Sequence, residues 1–283
     1  GIDGLVIDMR GNGGGHLTEA TALSGLFIDN GPIVQLRNSV DVRRSPPQRL
    51  DDPDPVARVA YNGPLAVLVD RFSASASEIF AGAIQDYARG VIVGQQTFGK
   101  GFGQLTLTIG KYYRVTGEST QHRGVLPDIE LPSNIDAELV GESARENALP
   151  WDTVQSTRFS AGRPLDNTIQ SLTSNHVERS KDDPNFQYQM ARIQAGKRIR
   201  EQKSVSLNIE TRRATREKEL ADALARENER RIALHLEPLE SLDDLDEDDL
   251  LDVQLDQAAK IVTDLATMRE VDKTPAQTAQ VMP

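Results

Sequence analysis

A succession of strand, turn, helix and strand between residues 64 and 94 constrains the fold more than any other feature of this chain. The run PLAVLV predicts a buried strand, and the small residues of SASAS predict a turn. EIFAGAIQDYA then carries small and apolar residues on one helical face, and VIVG predicts another buried strand. Because strands that alternate with helices are the signature of an α/β domain, we expect that class here.

The residues on either side of this unit extend the same alternation. GLVIDM predicts a short apolar strand, and LTEATALSGLF carries apolar residues at helical spacing. GQLTLTIGKYYRV alternates well enough for a strand or a hairpin. Residues 37–61 are polar and rich in proline, which indicates a surface loop or an edge excursion. The α/β pattern thus covers residues 1–133.

The composition changes after about residue 134. Glycine becomes rare, and Lys, Arg, Glu and Gln dominate helical stretches such as FQYQMARIQAGKRIREQ. We therefore predict four segments: an α/β core at 1–133, a linker at 134–165, a mainly α-helical domain at 166–272 and a disordered tail at 273–283.

Charge and cysteine content exclude several kinds of protein. The formal net charge of −11 and the pI near 4.9 argue against a nucleic-acid or anionic-membrane surface. The absence of cysteine excludes a thiol nucleophile, a disulfide framework and a thiolate metal site. No run of about eighteen apolar residues predicts a membrane span, and no residue cluster has metal-ligand spacing. Because the chain begins without Met inside a strand-like run, we expect it to be a piece of a longer protein.

A glycine-rich loop, GNGGG at residues 11–15, separates the first predicted strand from the first predicted helix. Such a loop frees backbone N–H groups at the positive end of a helix, which is a ready site for an anion or an oxyanion. A simple tight turn explains the loop equally well. The dinucleotide fingerprint G-x-G-x-x-G is excluded, because it requires a glycine where the chain has His16.

A second glycine-rich stretch, GQQTFGKG at residues 94–101, nearly spells a phosphate-binding P-loop. The match fails twice: the last position is Gly101 rather than a hydroxyl residue, and the following residues predict a strand instead of a helix. We therefore do not expect a nucleotide site. What remains is Lys100 between two glycines, either an ordinary surface lysine or one that the backbone approaches closely.

Three serines, Ser73, Ser75 and Ser77, lie at alternate positions in the predicted turn. Ser75 and Glu78 have the S-x-x-E spacing of a capping box, so Ser75 is readily explained as a helix cap. A strand that turns sharply into a helix also presents a nucleophile to open space, with the following N–H free to bind an oxyanion. The local pattern alone leaves both interpretations open.

A serine nucleophile needs a base, and either a histidine or a lysine fits. His16 lies beside the glycine loop, whereas His122 is expected in a loop and His176 and His235 on the surface. Lys100 is the other option, because a buried lysine loses its charge readily and then accepts a proton. The residues alone do not choose between His16 and Lys100.

Two further polar residues are candidates for supporting roles. Gln104 follows Lys100 by four residues and shares its strand face by parity, so its amide is placed to orient the amine. Asp86 ends the helix after the serines, and we interpret it as a structural partner for a turn or for an arginine such as Arg89.

The motifs together resemble those of a known family. GLVIDMRGNGGG, LAVLVDRFSASASEIFAGAIQDYARG, VIVGQQTFGKG and GVLPDIELP are similar to segments of the tail-specific, carboxy-terminal processing serine proteases. ENALPWDTV, DPNFQYQM and VSLN resemble the C-terminal helical domain of the longer periplasmic type. The resemblance implies an α/β, crotonase-like protease core, present in part, followed by a mainly α-helical C-terminal domain. It implies a serine endopeptidase.

The same resemblance assigns roles to individual residues. The family's lysine lies twenty-five positions after its nucleophile, and Lys100 minus twenty-five is position 75, so Ser75 is the implied nucleophile. Lys100 is the implied base. The family glutamine corresponds to Gln104, and the oxyanion amides correspond to Gly15 and Ala76. Asp86 is left with a supporting role.

The resemblance also implies partners and a compartment. The substrates would be proteins with nonpolar C-termini, recognised by a PDZ domain that would lie upstream of this chain, and a lipoprotein adaptor is possible. The enzyme would be periplasmic, with an association with the inner membrane left open and no insertion in it, and it would need no cofactor, metal or nucleic acid. The alternative is a non-catalytic protein-interaction module on the same fold, in which Ser75 is only a cap.

Overall fold

The computed structural model describes residues 2–37, 42–45, 59–100, 102–104, 107–136, 138–246 and 251–273. The strands in these residues are β1 (Leu5–Asp8), β2 (Val34–Arg37), β3 (Val42–Ser45), β4 (Leu65–Val69), β5 (Val91–Gly94), β6 (Phe102–Gln104), β7 (Leu107–Tyr113) and β8 (Ile129–Glu130). The α-helices are α1 (Leu17–Gly25), α2 (Ala76–Asp86), α3 (Asp166–Lys181), α4 (Pro184–Arg200), α5 (Ile209–Ala233) and α6 (Val253–Lys273).

The chain divides into two compact units. The first comprises Gly1–Leu131, Ile135–Thr173 and Ala258–Pro283, and the second comprises Pro132–Asn134 and Ser174–Gln257. The domain boundaries drawn from composition stay predictions. Of the tail predicted to be disordered, residues 274–283 lie outside the described residues.

A parallel sheet forms the centre of the first unit, with the strand order β1-β4-β5-β8. All five residues of β4 are buried, because β4 has a strand on each side and helices above and below. Continuous apolar runs are typical of such strands, and both LAVLV and VIVG have them. The predicted strands and the helix between them are confirmed.

The two faces of this sheet are covered by different helices. Alternate residues of β4 belong to different apolar clusters, since successive side chains of a strand point to opposite faces. Leu65, Val67 and Val69 pack in the cluster that contains residues of α1 and α2. Ala66 and Leu68 pack in the cluster that contains residues of α3 and α6. A Cβ added at Gly4, just before β1, would lie 3.0 Å from Cγ2 of Val262 in α6, so the sheet and that helix approach closely.

A second, antiparallel sheet has the order β3-β2-β7-β6. The segment predicted as a strand or a hairpin is a hairpin of β6 and β7, with an irregular register between Phe102 and Gly103. In the segment predicted as a loop or an edge excursion, β3 pairs at the sheet edge, and residues 38–41 and 46–58 lie outside the described residues.

The second unit is helical. Its helices begin at well-formed caps: the Asp183 side chain accepts from the N–H groups of Asn185 and Phe186 at the start of α4, and Asn208 has the same role for α5. The expectation that His176 lies on the surface is wrong, because its side chain packs edge-on against the ring of Phe186 and is only 5 % exposed.

The described ranges lack both membrane-spanning helices and metal-binding clusters. None of the helices there combines the length and the apolar character that a bilayer crossing requires. The same residues contain no group of three or more His, Cys, Asp or Glu side chains arranged to hold a metal ion.

Candidate active site

Ser75 lies at the turn between β4 and α2, where it is the residue that immediately precedes the helix. Its backbone has φ 59° and ψ −112°, a conformation that costs about 1–3 kcal/mol for a residue with a side chain. Such strain persists only where the surrounding structure enforces it, and it is typical of the sharp turn that exposes a serine nucleophile. Ser75 therefore has the backbone geometry expected of a reactive serine.

The three serines have different environments. Ser73 is fully buried, and its hydroxyl donates to the carbonyl oxygen of Met9 at 2.8 Å. Ser77 is 1 % exposed, and its hydroxyl donates to the carbonyl oxygen of Asn12 at 3.0 Å. Ser75 is half-buried. The hydroxyl groups of Ser73 and Ser77 thus bind the backbone between β1 and α1, and the hydroxyl group of Ser75 does not.

The glycine loop packs directly on this turn. The Asn12 carbonyl accepts from the Ala74 N–H at 3.0 Å, and the Asn12 side chain accepts from the Gly14 N–H at 2.9 Å. Gly14 has φ +99°, and a Cβ there would lie 2.8 Å from Cβ of Ser75 and 2.9 Å from N of Ala76. Only glycine permits this approach, which explains the glycine at position 14.

Two backbone amides next to Ser75 remain available. Among the described residues, the N–H groups of Gly15 and Ala76 have no hydrogen-bond partner. A Cβ added at Gly15 would meet nothing within 4 Å, so open space adjoins this part of the loop. Ala76 is the first residue of α2, where the helix dipole is positive. The two amides predicted for an oxyanion site are therefore unpaired and lie on adjoining segments.

The loop before β6 carries Lys100, which is half-buried. The nucleotide alternative is not supported, because the residues after Lys100 form a strand rather than a helix. Gln104 ends β6, and its side chain lies outside the described part of the structure. The parity argument that linked the two residues is wrong, because β6 begins only at Phe102 and its register is irregular there. The role of Gln104 stays a prediction.

Glu78 connects the turn that contains Ser73, Ser75 and Ser77 (the serine turn) to residues 97–100 (the lysine loop). One carboxylate oxygen accepts from the N–H of Ser75 at 2.8 Å and from the N–H of Lys100 at 3.0 Å. The other accepts from the Thr97 hydroxyl at 2.6 Å and from the Gly99 N–H at 2.7 Å. The sequence identified Glu78 only as a capping residue. Its carboxylate also fixes the backbone of Lys100 relative to that of Ser75.

The Glu78 carboxylate is fully buried, and this burial raises its pKa to about 7. The hydrogen bonds from Thr97, Gly99, Ser75 and Lys100 oppose that rise, since each stabilises the charged form. All four groups donate to the carboxylate, so the geometry is complete when Glu78 is ionised.

The histidines differ in their relation to the site. His16 precedes α1 and is exposed, and its side chain makes no capping hydrogen bond. His122 contacts the lysine loop, because its N–H donates to the Gly99 carbonyl at 2.8 Å. This contact joins His122 to the backbone of the loop and was not predicted.

The expected partner of Asp86 is corrected by the structure. Its carboxylate pairs with Arg114, whose guanidinium also donates to Gln85 at 2.8 Å. Arg89 instead donates to the backbone carbonyls of Phe27, Gly63 and Tyr61. Asp86 therefore connects the end of α2 to the end of β7, which contains Tyr112 and Tyr113.

Tyr112 is a further residue of the site that the sequence did not reveal. Its phenol hydrogen-bonds the Ser75 side chain, and burial raises its pKa. The side chain is 7 % exposed. No sequence motif marks this tyrosine, because β7 reaches Ser75 only through the pairing of the second sheet.

Two family descriptions match consecutive parts of the chain. Residues 1–131 match peptidase family S41, and residues 135–267 match the C-terminal domain of tail specific protease. The matches cover the serine turn, the lysine loop and the helices that follow.

Individual relatives agree with these matches. A tail-specific protease of Haemophilus influenzae is 40% identical over an alignment of 296 residues, gaps included, that covers 96% of this chain and 41% of the relative. A carboxy-terminal-processing protease of Bartonella bacilliformis is 39% identical over 45% of this chain and 31% of the relative. The solved photosystem II D1 C-terminal processing protease has 33% identity and a TM-score of 0.41, covering 49% of this chain and 37% of that one. The chain thus spans less than half the length of each of these three relatives, and it belongs to peptidase family S41, with the C-terminal domain of tail specific protease.

Proposed function

We propose that the protein is a serine endopeptidase in which Ser75 is the nucleophile and Lys100 the general base. The observation that carries the proposal is the setting of Ser75: a strained residue before α2, half-buried, followed by an unpaired amide. Ser73 and Ser77 lack this setting because their hydroxyl groups bind backbone carbonyls.

The reaction is an acyl transfer in two steps. The neutral amine of Lys100 accepts the hydroxyl proton while Oγ of Ser75 attacks the scissile carbonyl carbon. The N–H groups of Gly15 and Ala76 stabilise the oxyanion. Lys100 then donates the proton to the departing amine as the C–N bond breaks, and water releases the acyl group by the same route. Gln104 orients the Lys100 amine, and Asp86 supports the site through Arg114.

The proposed substrates are proteins with nonpolar C-terminal tails, processed in the periplasm. The names of the relatives, tail-specific and carboxy-terminal-processing, support action at C-terminal tails. The nonpolar character of the tails and the periplasmic location rest on the resemblance of the motifs alone. A PDZ domain outside this chain would capture the tail, and a lipoprotein adaptor would assist.

The test replaces each of three neighbouring serines by alanine in the full-length protein and measures cleavage of a protein with an apolar tail. Ser75→Ala is expected to abolish cleavage. Ser73→Ala and Ser77→Ala are matched controls that retain cleavage and lose stability, since each removes a buried hydrogen bond worth about 1 kcal/mol. A substrate whose last residues are replaced by aspartates tests the tail preference.

Cleavage that persists in Ser75→Ala and disappears in a control variant would contradict the assignment. The alternative function is a non-catalytic interaction module. It predicts that Lys100→Ala changes neither the binding of the tail nor any cleavage measured with the purified protein, because such cleavage would not come from this site. The proposed mechanism predicts that Lys100→Ala binds the substrate normally and does not cleave it.

A further inference from the structure

A short segment that follows the residues matched to peptidase family S41 lies directly on the loop that carries Lys100. We call residues 140–145 the strap and residues 97–100 the lysine loop. The N–H of Glu142 in the strap donates to the carbonyl of Phe98 in the loop at 2.9 Å. The guanidinium of Arg145 lies over the Phe98 ring, 5.5 Å from its centre. Strap and loop belong to the same compact unit, although they fall in different family matches.

Arg71 joins these two segments through its side chain. Its Nε donates to the carbonyl of Val140 at 2.5 Å, and Nη2 donates to the Ser143 hydroxyl at 3.2 Å. Nη1 donates to the carbonyl of Thr97 at 2.5 Å. One planar group thus binds the strap on one side and the lysine loop on the other, four residues before Ser75.

The strap is shaped to receive this guanidinium. Gly141 has φ +126°, and a Cβ there would lie 2.3 Å from Nη2 of Arg71. Both the backbone conformation and the space therefore require glycine. Arg71 is 2 % exposed, the largest side chain among the fully buried residues that the structure describes.

Burial of a guanidinium is unfavourable, and it lowers the pKa of Arg71 against the effect of the Glu78 charge. The contacts that compensate are carbonyl and hydroxyl oxygens of two loops. A buried apolar side chain would fill the same volume without this desolvation, but it would not fix the position of the Thr97 carbonyl. The arginine is thus suited to setting the position of a loop rather than to adding stability.

We propose that Arg71 is a positioning residue for Lys100, and that through it the strap completes the protease site. The proposal rests on the Ser75–Lys100 mechanism proposed above. Arg71 touches neither the substrate nor the reacting atoms; it holds the lysine loop at the distance from Ser75 that proton transfer requires. A small displacement of a catalytic group lowers the rate by about a hundredfold.

The experiment compares Arg71→Met with Arg89→Met in the full-length protein. Arg89 is a matched control, because it also donates to three oxygen atoms, the backbone carbonyls of Phe27, Gly63 and Tyr61, and none of these belongs to the lysine loop. The melting temperature, kcat and KM on an apolar-tailed protein, and the rate of Ser75 labelling by a fluorophosphonate are measured across pH. Arg71→Met is expected to lower kcat and the labelling rate by about a hundredfold with KM nearly unchanged. Arg89→Met is expected to lower the melting temperature by a similar amount and to leave kcat and the labelling rate unchanged.

A second pair of variants disturbs the strap without removing either arginine. Gly141→Ala places a methyl group against Arg71, whereas Gly31→Ala, at φ +109°, places one 2.3 Å from the Tyr87 hydroxyl. Both changes strain a glycine of positive φ by a similar amount. Gly141→Ala is expected to lower kcat and to shift its pH profile, and Gly31→Ala is expected to change only stability.

The outcomes separate this proposal from the one on which it rests. If Ser75→Ala or Lys100→Ala retains cleavage, the dyad itself is wrong. If both are inactive while Arg71→Met and Gly141→Ala keep the kcat and pH profile of their controls, the dyad stands and the positioning role is overturned. Equal losses of kcat in Arg71→Met and Arg89→Met also overturn it.

Discussion

The backbone of Ser75 is strained, and this strained conformation sets the position of its hydroxyl group. At φ 59° and ψ −112°, glycine is the residue that adopts the conformation without a steric penalty. A serine therefore occupies this position against the preference of the backbone, and the hydrogen bond from its N–H to Glu78 helps to enforce the turn.

This strain predicts a difference in stability between two variants of Ser75. Ser75→Gly relieves the strain, whereas Ser75→Ala keeps it, so we expect the glycine variant to be more stable by about 1 kcal/mol. Urea unfolding of both variants at one pH measures the difference. Equal midpoints, or a more stable alanine variant, would show that the turn is not strained in solution.

The raised pKa of Glu78 predicts a pH dependence of stability. Because the folded pKa is about 7 and the ordinary value is 4.5, the folded protein favours the protonated form. The stabilisation that comes from protonated Glu78 is present at low pH and is lost as the pH rises through 7. Between pH 5.5 and 8 the free energy of unfolding is expected to fall by about 2 kcal/mol more in the wild type than in Glu78→Gln.

Urea titrations at several pH values provide this measurement, and the comparison with Glu78→Gln removes the contribution of other groups. Parallel curves for the two proteins would contradict the prediction. Activity should have the opposite trend, because the ionised carboxylate accepts all four hydrogen bonds at the site, including those from Ser75 and Lys100.

At the level of elements, one ion pair joins α2 to β7. The Asp86 side chain is 3% exposed and that of Arg114 is 15% exposed, so removal of either partner leaves a largely buried charge. Asp86→Asn is expected to destabilise the protein by about 3 kcal/mol. The double variant Asp86→Asn/Arg114→Gln should recover part of this loss, because it leaves no unpaired charge.

A double-mutant cycle by urea unfolding checks the prediction. Losses that simply add in the double variant would mean that the two groups do not interact. Arg89→Met completes the comparison, because Arg89 was the partner expected from the sequence and it contacts carbonyl oxygens instead.

Elements with a strong local pattern were predictable, whereas their pairing was not. The apolar runs of β4 and β5 and the small residues of α2 were sufficient to locate these elements. The two-residue strand β8, the irregular start of β6 and the contact of Tyr112 with Ser75 depend on residues far away in sequence. The prediction that Lys100 and Gln104 share one strand face was wrong, because Lys100 lies in the loop before β6 and the register of β6 is irregular at its start.

At the scale of the whole chain, α6 is part of the core that supports the site. Ile261 is fully buried in the cluster that covers one face of the parallel sheet. Ile261→Ala is expected to destabilise the protein by about 3–4 kcal/mol, because it leaves a cavity beneath β4 and β5. Ile199, at 55% exposure, supplies the matched control, and Ile199→Ala should cost well under 1 kcal/mol.

Thermal and urea unfolding of the two variants give the comparison. Similar small losses in both would mean that α6 does not cover the sheet in solution.

Composition distinguished the glycine-rich first half from the charged second half, but it did not reveal that Leu172 and Ile261 pack with β4, since apolar residues of a charged helix do not specify their partner.

The close approach of Gly4 to Val262 has a consequence for biosynthesis. The strand that contains the first described residues of the core is covered by a helix from the last part of the chain, so the order of translation delays completion of the fold. While the ribosome is still synthesising the middle helices, one face of the sheet remains exposed to solvent. Long-range closure of this kind is slow. The core of the first unit therefore stays incomplete until α6 has emerged, long after β1 has been synthesised.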